Sequence, residues 1–193
     1  FISETVHNNY VYGAWCVKPE DLKDAIGGMR ALGISGINVT APHKVEVMKY
    51  IDVVTDGAKK LGSVNTVVNR DGKLYGYNTD ADGFCMALTK AGIEIENSRI
   101  LIIGAGGVVR PTLIRLIDNK PKSITVVNRT KSKAKTLAED ILKSTGFEVN
   151  TEIDKLEFDI VINTTSAGME PQENVMPIEN IEEINDLSFI NEN

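Results

Sequence analysis

The run RILIIGAGG, residues 99–107, constrains the fold more than any other stretch. Five residues read as a buried strand and empty straight into three glycines, Gly104, Gly106 and Gly107. A helical pattern, VVRPTLIRLID, follows at once, and a second apolar strand, SITVVN (123–128), comes next. Strand, glycine turn, helix and strand in that order predict a βαβ unit with a parallel sheet. Glycines let the backbone turn tightly and approach a phosphate, and the helix N-terminus offers free N–H groups and a positive dipole. The loop is therefore expected to bind a dinucleotide pyrophosphate. It departs from the fingerprint at its third position, where Val109 stands in place of Gly or Ala. Pro111 falls early in the helix, where a missing N–H costs little.

Whether the cofactor carries a further phosphate on its ribose is predicted by the next turn. NAD sites place an acid at the end of the second strand for the ribose 2′-OH. Here the strand ends in Asn128-Arg129-Thr130, with Lys133 close behind. A guanidinium suits a 2′-phosphate through bidentate bonds and adenine stacking. NADP is accordingly favoured over NAD, the alternative for Arg129 being a solvated loop charge.

Strands and helices alternate along the rest of the chain. YVYGAWCV (10–17) reads as a strand, and PEDLKDAIGGMRALG (19–33) as a helix with Leu22, Ile26, Met29 and Leu32 on one face. GINVT (36–40) reads as a strand, PHKVEVMKYID (42–52) as a helix with Pro in its first turn, and DGAKKLG (56–62) as a short helix. SVNTVVN and KLYGYNT flank Arg70-Asp71-Gly72, a hairpin signal. DADGFCMALTKAG (80–92) and KSKAKTLAEDILKSTG (131–146) read as helices, the second with Ala134, Leu137, Ala138, Ile141 and Leu142 on one face. FDIVINTTSAGM (158–169) is a strand with a polar exit, and the tail IENIEEINDLSFINEN is polar and adds no closing element. The expected class is α/β: a substrate-binding and catalytic domain over 1–92 and a Rossmann dinucleotide-binding domain over 93–193, both with mainly parallel sheets.

Composition narrows the partners. With 42% hydrophobic and 25% charged residues the chain is globular rather than disordered. A net charge of −6 argues against nucleic acid. No apolar run of membrane-spanning length occurs. Cys16 and Cys85 do not make a disulfide framework, which makes a reducing cytoplasm the expected compartment. Cys85 reads as an inert buried thiol. A small-molecule substrate is expected, no metal, and a monomer or homodimer.

A nicotinamide reaction needs a proton donor as well as a hydride site. His7 lies in a polar segment and reads as surface; His43 could line a corner. Lys44 is the stronger candidate, because it follows a strand end and falls at the start of the predicted helix, where the dipole disfavours a cation. Asp80 opens another helix, either as an acidic N-cap or as a site residue. NVTAPHK, SVNTVV and GYNTD each put Asn or Thr at a strand exit, so Thr40, Lys44, Asn65 and Asp80 could converge in one polar basin.

Taken together, GINVTAPHK, GSVNTVV, GYNTDADGF, IIGAGG, VVNRT and INTTSAGM resemble shikimate dehydrogenases in order and spacing, over essentially the whole chain. The resemblance implies reversible NADPH-dependent reduction of 3-dehydroshikimate to shikimate, in chorismate and aromatic amino acid biosynthesis. It implies Lys44 and Asp80 as the catalytic pair, and Thr40, Lys44, Asn65 and Asp80 as substrate-binding residues. It implies cofactor contacts from Gly104, Ala105, Gly106, Gly107 and Val108, from Asn128, Arg129, Thr130 and Lys133 around the 2′-phosphate, and from Thr165, Ser166, Ala167, Gly168 and Met169, with Met169 near the nicotinamide. It also implies segments beyond both ends: an earlier strand with a Ser-x-Ser segment for the substrate carboxylate, and later strands with a helix carrying a substrate-binding Gln. A quinate/shikimate sibling enzyme and a non-catalytic dinucleotide-binding paralogue are the alternatives.

Overall fold

The computed structural model describes residues 11–107, 109–167 and 188–191, the last four through their backbone. His7 lies outside the described residues.

Two four-stranded sheets form. The first has order β1-β3-β4-β2, from β1 (Gly36–Asn38), β2 (Val53–Val54), β3 (Thr66–Arg70) and β4 (Lys73–Tyr77). β3 pairs antiparallel with both β1 and β4, and only β2 pairs parallel, with β4. This corrects the expectation of a mainly parallel first sheet. The cause is the Asp71-Gly72 turn, which pairs Arg70 with Lys73 in a two-residue hairpin. A connection that short can only return the chain antiparallel.

The first core lies between this sheet and helix α1 (Leu22–Ala31), where Leu22, Ile26 and Met29 are buried against Val47, Val64, Val67 and Leu74. Leu32, expected on the same face, ends the helix and is 78% exposed. Two further expectations are corrected here. Residues 11–17 form no strand; Val11, Tyr12 and Trp15 stand out to solvent, so their β-propensity has no sheet face to pack on. The predicted helix over 42–52 is a series of turns around a cis Ala41-Pro42 bond, followed by a 3-10 helix over Glu46–Tyr50.

The second sheet has order β6-β5-β7-β8 and is parallel throughout, from β5 (Arg99–Ile103), β6 (Ser123–Val127), β7 (Ile160–Asn163) and β8 (Ser188–Asn191). β8 corrects the expectation of a tail without a closing element. Beyond β6, Asn150 forms a one-residue parallel bridge with Thr125. The chain thus runs outward from β5 through β6 to Asn150, then returns to the other side of β5 as β7. That reversal is the switch point of a Rossmann sheet, and ligands bind outside the strand ends there.

Alternation along β5 splits its side chains between two cores, as a period of two requires. Ile100 and Ile102 face helices α3 (Asp80–Lys90), α4 (Val109–Asp118) and α5 (Lys131–Thr145). Leu101 and Ile103 pack with Phe158 and Val161 on the other face. The core on the Ile100 and Ile102 side gathers Leu61, Ala81, Phe84, Cys85 and Leu88 with Val109, Leu113 and Ile114. Helix α3 therefore shares its apolar face with the second sheet rather than with the first. At about 1.5–3 kcal/mol for each large buried aliphatic, this joint is a major source of cohesion between the halves. On α5, Ala134 and Ile141 are buried as expected, whereas Leu142 is 49% exposed, one step round from the packed stripe.

Candidate active site

Asp80 occupies the first turn of α3, with Thr79 as the N-cap residue making no side-chain cap bond. The carboxylate is therefore not an N-cap. A negative group in this turn is favoured by the helix dipole, and its two oxygens are free for other partners. Oδ2 accepts from Lys44 Nζ at 2.7 Å, and Oδ1 accepts from Asn65 Nδ2 at 2.5 Å.

Lys44 comes from the turn that ends at Val45, just before the 3-10 helix. It is thus not in the first turn of an α-helix, and the dipole argument raised by its sequence does not apply. Its backbone is held instead: Val64 N donates to Lys44 O at 2.8 Å. Asn65 is buried and works on both sides of its amide. Nδ2 also reaches Thr79 Oγ1 at 3.0 Å, while Oδ1 accepts from Thr66 Oγ1 at 3.0 Å and Thr79 N at 2.9 Å. The hairpin fixes this geometry, because Thr66 of β3 sits directly across from Tyr77 of β4.

The structure brings Lys44, Asn65 and Asp80 together. Thr40 is exposed, and among the described residues its place is at the head of the turn, where its carbonyl accepts from His43 N. The His43 ring bonds Val17 O at 2.9 Å and does not join the cluster. Sequence reasoning missed Thr66 and Thr79 as members, and Asn78 and Ser63 as supports: Asn78 Nδ2 donates to Ser63 O and Oγ at 3.2 and 2.8 Å. The available signal was the density of Asn and Thr in SVNTVV and GYNTD.

The pair is partly wet, with side-chain exposures of 25% for Lys44 and 48% for Asp80. Ion pairs of this exposure add at most about 1 kcal/mol to folding. Their alignment is therefore of more interest for chemistry than for stability. An ammonium beside a carboxylate, reachable by solvent, can exchange a proton with a bound hydroxyl or carbonyl oxygen.

The glycine loop lies at the end of β5. Gly104 has φ +117°, and a Cβ there would collide with Thr164 Oγ1. The loop after β5 and the loop after β7 are thus in direct contact, and only glycine permits it. Gly106 and Gly107 are exposed at the start of α4, with open space where a Cβ would stand. Ala105 is half-buried, and Val108 lies outside the described residues. Val109 is fully buried in the helix–sheet core, so it fills the space that the third glycine of the fingerprint leaves for close packing. Pro111 stands third in α4, inside the first turn.

The other cofactor-side residues group around the same edge. Gly104 N donates to Val127 O at 2.8 Å, tying the loop to the end of β6. Asn128 Nδ2 bonds Thr130 O at 3.0 Å, and Arg129, Thr130 and Lys133 are exposed at the N-terminal end of α5. After β7, buried Asn163 shapes the next loop: its Oδ1 accepts from Thr165 N and Oγ1 at 3.0 and 2.7 Å, and its Nδ2 donates to Ala167 O at 2.8 Å. Ser166 is exposed between them, and Gly168 and Met169 lie outside the described residues. A glycine turn ahead of a helix, with exposed cations a strand away, fits a dinucleotide carrying a further phosphate.

Residues 2–67 match the shikimate dehydrogenase substrate binding domain, and residues 86–188 match shikimate / quinate 5-dehydrogenase. The chain belongs to the shikimate / quinate 5-dehydrogenase family. It is 49% identical over 172 residues to the shikimate dehydrogenase (NADP(+)) of Geobacillus sp. (strain WCH70), a match covering 86% of this chain and 62% of that protein. The shikimate 5-dehydrogenase of Thermus thermophilus, solved in complex with NADP(H) and shikimate, superposes with a TM-score of 0.78 at 30% identity, over 91% of this chain and 64% of that one. The Listeria monocytogenes shikimate 5-dehydrogenase, in complex with shikimate and NAD, gives a TM-score of 0.81 at 33% identity, over 92% of this chain and 65% of that one. This family member thus spans a little under two thirds of the length of each of these relatives.

Proposed function

We propose that the protein is an NADP-dependent shikimate dehydrogenase, reducing 3-dehydroshikimate to shikimate reversibly. The observation that carries this reading is the Lys44–Asp80–Asn65 constellation, with contacts of 2.7 and 2.5 Å, in a chain that also holds the glycine loop. The names of its relatives support the substrate and the cofactor.

In this reading NADPH, when bound, supplies the hydride that reduces the ring ketone. Gly104, Ala105, Gly106, Gly107 and Val108 hold the pyrophosphate; Asn128, Arg129, Thr130 and Lys133 hold the 2′-phosphate; Thr165, Ser166, Ala167 and Met169 line the nicotinamide side. Lys44, as an ammonium, stabilises the negative charge growing on the ketone oxygen and gives that oxygen its proton. Asp80 orients Lys44 and accepts from a ring hydroxyl, with Asn65 fixing the carboxylate and Thr40 adding a hydroxyl contact. In the oxidative direction the neutral amine of Lys44 takes the hydroxyl proton. The substrate half is assigned to residues 1–92 and the nucleotide half to 93–193, acting as a monomer or homodimer in the cytoplasm.

The deciding experiment is a spectrophotometric assay of the full-length protein with shikimate or quinate and NADP or NAD. Turnover of shikimate with NADP is expected. A strong preference for quinate would replace this reading with a sibling activity. No turnover together with no NADP binding by calorimetry would sink it.

A further inference from the structure

Arg110 lies three residues beyond Gly107, in the first turn of α4, yet its contacts are not confined to its own half. Its Nη1 donates to Leu61 O at 2.9 Å and approaches Lys60 O at 3.5 Å, the last carbonyls of α2 (Asp56–Leu61). Its Nε donates to Asp140 Oδ2 of α5 at 2.6 Å. A guanidinium suits both tasks at once, because its fork presents donors in fixed directions. The residue that follows α2, Gly62, makes room for it: a Cβ there would stand 3.0 Å from Nη1.

The segment that starts at this anchor runs directly into the polar cluster. Ser63 is held by Asn78, Val64 N donates to Lys44 O at 2.8 Å, and Asn65 Nδ2 holds Asp80 Oδ1. Three consecutive residues thus set the backbone of Lys44 and the carboxylate of Asp80, and the residue before them is packed against Arg110. Other ties between the halves lie elsewhere: Lys60 Nζ of α2 with Asp118 of α4 at 2.6 and 2.8 Å, and Arg115 of α4 with Asp82 of α3 at 2.6 Å. Loss of Arg110 would therefore leave the halves joined while releasing this one segment.

We propose that Arg110 is a positioning residue, through which the helix behind the nucleotide loop sets the alignment of the Lys44–Asp80 pair by way of residues 62–65. The inference rests on the proposed reading of that pair as the proton-exchange groups. It predicts that chemistry, rather than nucleotide affinity, suffers when the anchor is removed.

The test uses full-length protein carrying Arg110→Met, Arg110→Lys or Lys60→Ala. Arg110→Met is expected to lower kcat by about tenfold to a hundredfold, the scale of a small misplacement of catalytic groups. The NADP dissociation constant stays within about twofold, and amide exchange of residues 62–65 accelerates at least about tenfold. Arg110→Lys recovers only part of kcat, since one ammonium cannot serve Leu61 O and Asp140 in the same geometry. Lys60→Ala, which cuts a tie between the same two helices, leaves kcat unchanged. Wild-type kcat and unchanged exchange in Arg110→Met would overturn the proposal, as would an equal kcat loss in Lys60→Ala. A loss of NADP affinity in step with kcat would also overturn it, by placing Arg110 in the nucleotide site. If Arg110→Met does not fold, Asp140→Ala, which frees the guanidinium on one side, is read by the same two measurements. The exchange measurement needs no turnover, so it separates failure of this coupling from failure of the proposed activity.

Discussion

Lys44 Nζ and Asp80 Oδ2 stand 2.7 Å apart although 36 residues separate them, and the other carboxylate oxygen is taken by Asn65. The carboxylate is thus fixed by a buried amide while its partner ammonium keeps access to solvent. A merely decorative surface pair has no need of such support. Orientation of this kind is what a proton-exchanging pair requires.

Lys44→Ala is expected to lower kcat by about a hundredfold to ten-thousandfold, the usual range for removing a general acid or base. The KM for shikimate and the affinity for NADP change much less. Thermal stability stays close to wild type, because a pair this exposed contributes little to folding. Steady-state kinetics and a melting curve check both halves of the statement; kcat within tenfold of wild type would remove Lys44 from the mechanism.

Gly104→Ala meets two obstacles, the φ of +117° and the collision with Thr164 Oγ1. The backbone strain alone costs about 1–3 kcal/mol. A lower urea midpoint at unchanged slope and a weaker NADP affinity are expected together. An unchanged affinity in a destabilised protein would show that the loop after β5 is structural and nothing more.

Arg129→Gln removes an exposed cation next to the N-terminal end of α5. The KM for NADP is expected to rise at least about tenfold, while that for NAD moves within about threefold, since only the 2′-phosphate loses a partner. Equal effects on the two cofactors would assign Arg129 a role outside phosphate recognition.

Asp159 shows how pH enters the folding balance. Side-chain bonds from Arg99, at 3.0 and 2.9 Å, and the Arg99 N–H, at 2.7 Å, bring its carboxyl down from the ordinary 3.8 to about 2. A depressed folded value stabilises the fold above the unfolded value and loses that contribution as pH falls through the folded one. The stability difference between wild type and Asp159→Asn is therefore expected to be constant above about pH 5 and to shrink between about pH 4 and pH 2. Urea unfolding across that range measures it; a difference that persists unchanged at pH 2 would contradict the assignment.

The second half was legible in the sequence because its signals are local and redundant. Buried five-residue strands, the glycine turn and the amphipathic α5 each predict the same parallel sheet, and β5, β6 and β7 follow. The first half was harder to read, because short strands and a proline turn leave periodicity little to work on. The apolar run at 11–17 has the composition of a strand and no sheet to join among the described residues. Lys44 and Asp80 were legible as candidates, but for Lys44 the helix-dipole argument was mistaken, since its turn precedes a 3-10 helix. Arg110 was invisible as a site residue: its meaning lies in Leu61 O and Asp140, which no spacing along the chain brings to mind.

The shared burial of α3 also bears on how the chain is made. Synthesis proceeds from the N-terminus, and domains tend to fold as they emerge. The β3–β4 hairpin and the Asn65–Asp80 contact, 15 residues apart, can close as soon as α3 leaves the ribosome. Phe84, Cys85 and Leu88, however, have their apolar partners in α4 and the second sheet, which have yet to be translated. Until then the nascent protein carries a finished polar site on one side of α3 and an uncovered greasy stripe on the other, the kind of surface that chaperones exist to shield.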